Sequence, residues 1–181
     1  NACRWGSYRK NALRIKAITG NTIHLEQPLR IEFPIIDGSY IRKYRPIQRG
    51  GVEALSIEQT ENLWISAVIF NNAWNCWAKD VEVIKCGRFP VYGSQAKFCE
   101  QRNVIFRDAW FKGGGGTAYA GWEHSWDCLI DGIETFAFRH APLFQWSASG
   151  CVIRNGIFHD SDAQWHSGWT NENLMENCVV Y

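Results

Sequence analysis

A ten-residue motif recurs along the chain at a spacing too short for a repeated domain. Cys99-Glu-Gln-Arg-Asn-Val-Ile-Phe-Arg-Asp108 and Cys151-Val-Ile-Arg-Asn-Gly-Ile-Phe-His-Asp160 share Cys, Arg, Asn, Ile, Phe and Asp at equal positions. Cys128-Leu-Ile-Asp-Gly-Ile133 lies between them and Cys76-Trp-Ala-Lys-Asp-Val-Glu-Val83 before them, so successive Cys are 23, 29 and 23 residues apart. Asn173-Leu-Met-Glu-Asn-Cys-Val-Val180 is a further copy, and Val52-Glu-Ala-Leu-Ser-Ile57 a fainter earlier one. Each copy is one short strand, followed by polar or Gly-rich residues and a second apolar patch. The second patches are Phe89 to Tyr92, Thr117 to Ala120, Leu143 to Trp146 and Gln164 to Trp169. A strand of this length buries no core alone, but stacked copies bury a continuous one. The expected fold is therefore all-β, a single-stranded parallel β-helix of about six coils. Parallel crossovers are overwhelmingly right-handed, so a right-handed helix is expected. Leucine-rich repeats have a similar period, but their Leu pattern is absent, and the return segments here carry Gly, Pro, Ser and Trp, which are poor helix formers.

The repeat explains its own recurring residues. Cys76, Cys99, Cys128 and Cys151 are expected to stack inward as small, reduced, apolar side chains. Asn103 and Asn155, with Asp80 in register, are expected to satisfy backbone groups at a corner of the coil. Residues 1–49 differ. Leu13-Arg-Ile-Lys-Ala-Ile18 and Thr22-Ile-His-Leu-Glu26 alternate around Thr19-Gly-Asn21, a hairpin signal. Pro28, Pro34 and Pro46 then mark an irregular connection. This gives two regions: 1–49, a hairpin-bearing lead-in capping the helix, and 50–181, the parallel β-helix.

Composition narrows the partners. Nineteen basic against eighteen acidic residues leaves no cationic excess for nucleic acid. No apolar run approaches the ~18 residues of a membrane span, and no membrane partner is expected. Of ten Trp, ten Phe and six Tyr some must be core, and so many Trp also favour a stacking surface for flat ligands such as sugars. No secretory leader is visible. The chain begins at Asn1 and ends inside a strand, as expected of a mature product or a piece of a longer chain.

The coil pattern resembles the pectate-lyase-like superfamily of right-handed parallel β-helix proteins over residues 51–181, and the segment Ile18 to Leu25 is similar to hairpins that precede such helices. The resemblance implies the fold and carbohydrate chemistry outside the cytoplasm, extracellular or periplasmic. It specifies no chemistry, since lyases, polygalacturonase-like hydrolases, epimerases and phage tailspikes all share the coil. The paired-Asp and Gly-His-Gly motifs of the polygalacturonase type are absent.

Equal offset from the column Cys means adjacency in a stacked coil. Arg88, Lys112, Arg139, His140 and Asp162 fall eleven to thirteen residues after their Cys, on four consecutive turns. Such a column spans roughly 14 Å, the reach of two or three sugar units. An acidic polysaccharide would relieve its like charges. β-Elimination needs a cation for the uronate carboxylate, a base and an acid. Lys112, His140 and Arg139 are the catalytic candidates. Arg88, Asp162, Tyr92, Tyr119, Trp146, His124 and His166 are the expected substrate contacts. The turn holding Lys112 is six residues longer than its neighbours and continues into Gly113-Gly-Gly-Gly116, so residues 113–126, with Trp122, Glu123, His124 and Trp126, are expected to overhang the column.

Three alternatives compete. His159-Asp-Ser-Asp-Ala-Gln-Trp-His166 holds metal-ligand types, but His159 and His166 differ by an odd number and face opposite sides of a straight strand. No cofactor is expected, with Ca2+ left open. A hydrolase could use Asp108 and Asp160, ~9.6 Å apart across two turns, although their place in the repeat favours turn chemistry. A non-catalytic glycan-binding solenoid, tailspike-like or adhesin-like, would bind through Tyr92, Tyr119, Trp146 and Trp165. The expected partner in each case is a polysaccharide or oligosaccharide, and the oligomeric state is not legible.

Overall fold

The computed structural model describes residues 9–166 and 168–181. The first eight residues of the lead-in, Cys3 among them, and Ser167 of the last apolar patch lie outside the described residues. An antiparallel hairpin of β1 (Ile15–Thr19) and β2 (Thr22–Leu25) opens the described chain, followed by a 3-10 turn at Ile35–Asp37. The coil begins with β3 (Ile47–Gln48), β4 (Gly51–Glu58), β5 (Val68–Trp74), β6 (Trp77–Ile84), β7 (Val91–Lys97) and β8 (Glu100–Arg107). It continues with β9 (Tyr119–Glu123), β10 (Ser125–Trp126), β11 (Leu129–Phe136), β12 (His140–Gln145), β13 (Val152–His159), β14 (Gln164–Trp165) and β15 (Leu174–Val180).

These strands stack as a β-solenoid of about six turns. One parallel sheet runs β4-β6-β8-β11-β13-β15, a second runs β3-β5-β7-β10, and a third runs β9-β12-β14. The register of the large sheet is the register of the repeat. Trp77 pairs with Glu100, Glu100 with Leu129, Leu129 with Val152 and Val152 with Leu174, each one residue after its column position.

The column cysteines are buried and free. The thiols of Cys76, Cys99, Cys128 and Cys151 donate to the carbonyls of Trp74, Lys97, Trp126 and Ser149, two residues back, at 3.4 to 3.7 Å. Each thus fills the core with sulfur while its one weak donor is satisfied. In the last turn Asn173 takes the column position, and its side-chain oxygen accepts the Cys151 N–H at 2.9 Å.

Strict alternation would not keep the motif's apolar residues inside. In β8, Gln101, Val104 and Phe106 face the core, a step of three and then two. The extra residue sits in the left-handed region: Asp80, Asn103, Gly132, Asn155 and Asn177 have φ of 53°, 50°, 76°, 54° and 49°. Asn, Asp and Gly are the residues that adopt it at least cost. This corrects the expected role of the Asn column. The side chains bond one another across turns. Asn103 donates to Asp80 at 3.0 Å and Asn177 to Asn155 at 2.7 Å. Where Gly132 has no side chain to offer, Asp131 accepts from Asn155 at 2.7 Å.

The described lead-in runs along the side of the coil. Arg30 bonds Asp127 and Glu172, Gln27 donates to Asp127 at 3.2 Å, and the Tyr44 hydroxyl donates to the Gln95 carbonyl. Ala12 and Tyr44 pack against Trp74 and Trp126. Asp127 also holds Lys97, which is 1% exposed.

Candidate functional site

The β9-β12-β14 sheet sends Ala120, Trp122 and Phe144 into the core, and alternation turns Tyr119 and Glu123 to its outer face. Tyr119 pairs with His140, and Glu123 with Gln145. A second apolar cluster of Phe89, Tyr119 and Leu143 carries this face, with Tyr92 against it.

Backbone hydrogen bonds give the true register of the proposed column. Ala118 donates to Arg88, Arg139 and His140 donate to Ala118, and Ala141 donates to Asp162. Arg88, Arg139, His140 and Asp162 thus follow one another up the coil as expected. Lys112 does not stand among them; Ala118 holds its place. The six extra residues of the long turn fall before Ala118, so counting forward from Cys99 stops short at Lys112. Lys112 instead reaches along the coil to Asp160, donating to its carbonyl at 2.6 Å and its carboxylate at 2.7 Å. An ammonium engaged in two hydrogen bonds is a clamp more than a proton acceptor.

The overhanging-loop expectation is also corrected. Only the residues before β9 leave the coil. Residues 119–126 return to it as β9 and β10, because Trp122 and Trp126 are core residues, 0% and 2% exposed. The excursion leans back two turns, where Gly116 lies against Trp64.

The most chemically furnished part of the face surrounds His140. Its Nδ1 lies 2.7 Å from Asp162 Oδ1, and the Gln164 amide donates to the other Asp162 oxygen at 2.9 Å. A carboxylate acceptor assigns a proton to Nδ1, so that in the neutral tautomer Nε2 is the acceptor. The Tyr119 ring is 4.7 Å from His140, and the His166 ring 5.2 Å. Burial raises the Asp162 carboxyl, but the hydrogen bonds from His140 and Gln164 outweigh it and hold it below the usual range. Burial lowers the His166 imidazole, and the nearby charges of His140 and Arg139 add to that. Arg139 lies 6.0 Å from the Tyr119 ring and has no carboxylate partner among the described residues.

Arg88 belongs to a second group. Its guanidinium lies between Trp64 and Tyr92, 4.4 Å and 4.0 Å from their rings, and 3.6 Å from Glu123. Glu123 also accepts from Gln145. Burial raises the Glu123 carboxyl against the opposing pull of Tyr92, Gln145, Arg88 and Lys10. Burial also raises the Tyr92 phenol, and the Glu123 charge adds to it. His124 is pushed down to about 4 by burial and then by the charges of Lys10 and Arg88.

Trp146 follows β12 at the end remote from His140 and lies against Gly168, while Trp165 is 54% exposed. His159 lies on the large sheet, stacked between Phe136 and Tyr181 and bonded to Glu134 at 3.0 Å, whereas His166 follows β14 of the third sheet. Asp108 and Asp160 both occupy left-handed corner positions, φ 52° and 51°, as turn chemistry requires. Sequence reasoning missed Trp64 and Gln145, which lie outside the recurring Cys motif, and missed Asp160 as the partner of Lys112. No family model, curated protein or solved structure matches the chain.

Proposed function

We propose that the chain is a carbohydrate-active β-solenoid that binds an acidic polysaccharide on the outer face of β9 and β12 and cleaves it by β-elimination. The observation that carries this is the His140–Asp162 pair, set between Tyr119 and His166 with Arg139 beside it. His140 Nε2 takes the proton next to the uronate carboxylate. The carbon–oxygen bond on the neighbouring carbon breaks, a carbon–carbon double bond forms, and the leaving oxygen gains a proton. Arg139 neutralises the carboxylate and the charge that develops on it. Lys112 supplies the proton donor, since its partner Asp160 is two residues from Asp162 and both clamps flank one segment. The likeness of the coil to the pectate-lyase-like superfamily supports the same class and a site of action outside the cytoplasm.

The rival reading is a glycan binder without turnover. It draws on the ion pairs that already engage Arg88 and Lys112, and on exposed Trp165. A panel of uronate-containing polysaccharides, followed by ultraviolet absorbance of the unsaturated product, separates the two. Turnover that His140→Ala abolishes supports the lyase. Saturable binding without product supports the binder.

A further inference from the structure

Cations on the coil are mostly paired. Lys85, Arg102, Arg107 and Arg154 each meet a carboxylate on their own or a neighbouring turn. The lead-in is built differently. Arg42, Lys43, Arg45 and Arg49 are all exposed and have no carboxylate partner among the described residues. No Asp or Glu occurs between Asp37 and Glu53, and Asp37 itself is taken by Arg9.

Large apolar side chains stand out of the same segment. Ile35, Ile36, Tyr40 and Ile41 are 90%, 95%, 75% and 80% exposed. Single exposed apolar residues are ordinary on a protein surface. Four within seven residues, at near-complete exposure, form a projecting tip. Ile35 and Ile36 open the 3-10 turn that Gly38 closes, its φ 71° and its N–H donating to the Ile35 carbonyl at 2.9 Å. The turn therefore presents both side chains at an apex.

We propose that this tip is an anchor for an anionic membrane surface. Ile35, Ile36, Tyr40 and Ile41 enter the boundary between headgroups and acyl chains, and Arg42, Lys43, Arg45 and Arg49 lie against anionic headgroups. Neither half fits another partner as well. A soluble polyanion would engage the cations and leave the isoleucines in water, whereas an apolar protein groove would leave four cations without counter-charge. The lack of a spanning run bears on crossing a bilayer, and an interfacial tip needs no such run. Arg30 and Tyr44 fasten the lead-in to the coil on either side of the tip, so an anchored tip holds the solenoid at the surface. The proposal stands whether or not the β9–β12 face is catalytic.

The test is co-sedimentation of the whole chain with vesicles of phosphatidylserine and phosphatidylcholine, and with phosphatidylcholine alone. The wild type should bind the mixed vesicles and not the neutral ones. Ile35→Ser/Ile36→Ser should weaken binding more than about tenfold. Arg42→Gln/Lys43→Gln/Arg45→Gln should weaken it on the order of a hundredfold, roughly fivefold per cation. Both variants alter exposed side chains only, so an unchanged melting temperature confirms an intact coil. A wild type that ignores the mixed vesicles would overturn the proposal. So would vesicle binding untouched by Ile35→Ser/Ile36→Ser, or by Arg42→Gln/Lys43→Gln/Arg45→Gln.

Discussion

Asp162 and His140 sit on adjacent turns, with a carboxylate oxygen 2.7 Å from the imidazole Nδ1. The contact fixes which ring nitrogen carries the proton, on a residue that is 8% exposed. In the lyase reading, His140→Ala removes the base and should lower kcat by about a hundredfold to ten-thousandfold. Asp162→Asn keeps the ring but loses its orientation, and should cost less, about tenfold to a hundredfold. Initial rates on a uronate polysaccharide, with melting curves as a folding control, check the ranking. Equal effects of both changes would argue against a positioning role for Asp162.

His124 is neutral in the folded chain down to about pH 4, against 6.5 for the ordinary group, because burial and the Lys10 and Arg88 charges oppose its protonation. Its folded value is depressed, so the unfolded state binds more protons between those limits. Stability is then complete above about pH 6.5 and falls as pH drops toward 4, by at most about 3 kcal/mol. Denaturant titrations across that range should show the decline, and His124→Gln should flatten it.

Lys97 is 1% exposed and depends on Asp127 for its counter-charge. Asp127→Ala strands a buried ammonium and should cost about 3–5 kcal/mol, whereas Lys97→Met/Asp127→Leu should cost less than the single change. Arg30→Ala, at the more open edge of the same group, should cost no more than about 1 kcal/mol and lose even that in high salt. Urea unfolding of the variants in low and high salt distinguishes these cases.

Asn155 has φ 54° and bridges Asp131 and Asn177. Asn155→Ala and Asn155→Gly remove the same hydrogen bonds, but only Gly adopts this backbone freely. The alanine variant should therefore be the less stable by about 1–2 kcal/mol. Two variants of equal stability would mean that the left-handed bend carries no cost for alanine.

Much of this architecture was legible because a solenoid turns sequence offset into spatial adjacency. Cys76, Cys99, Cys128 and Cys151 announced both the period and the inward column, and the alternation of residues 13–26 announced the hairpin. Arg88, Arg139, His140 and Asp162 followed from the same arithmetic. It failed at Lys112, since a count cannot say on which side of a residue an insertion falls. It failed again at Trp122 and Trp126, whose burial depends on where the chain rejoins the sheet. Trp64 and Gln145 lie outside the repeated motif, and only packing reveals them.

The return of the long turn has a practical consequence for this molecule. The chain leaves after β8, travels through Gly113 to Gly116, and resumes its ladder when Ala118 donates to the Arg88 carbonyl. The turns on either side keep a 23-residue step, unaware of the excursion. The length of the excursion does not change the step of the turns above and below it. A graft of different length or chemistry between Asp108 and Ala118 should alter what stands beside the His140 face while leaving every other rung in place. The solenoid is a ruler on which this segment is the sliding part.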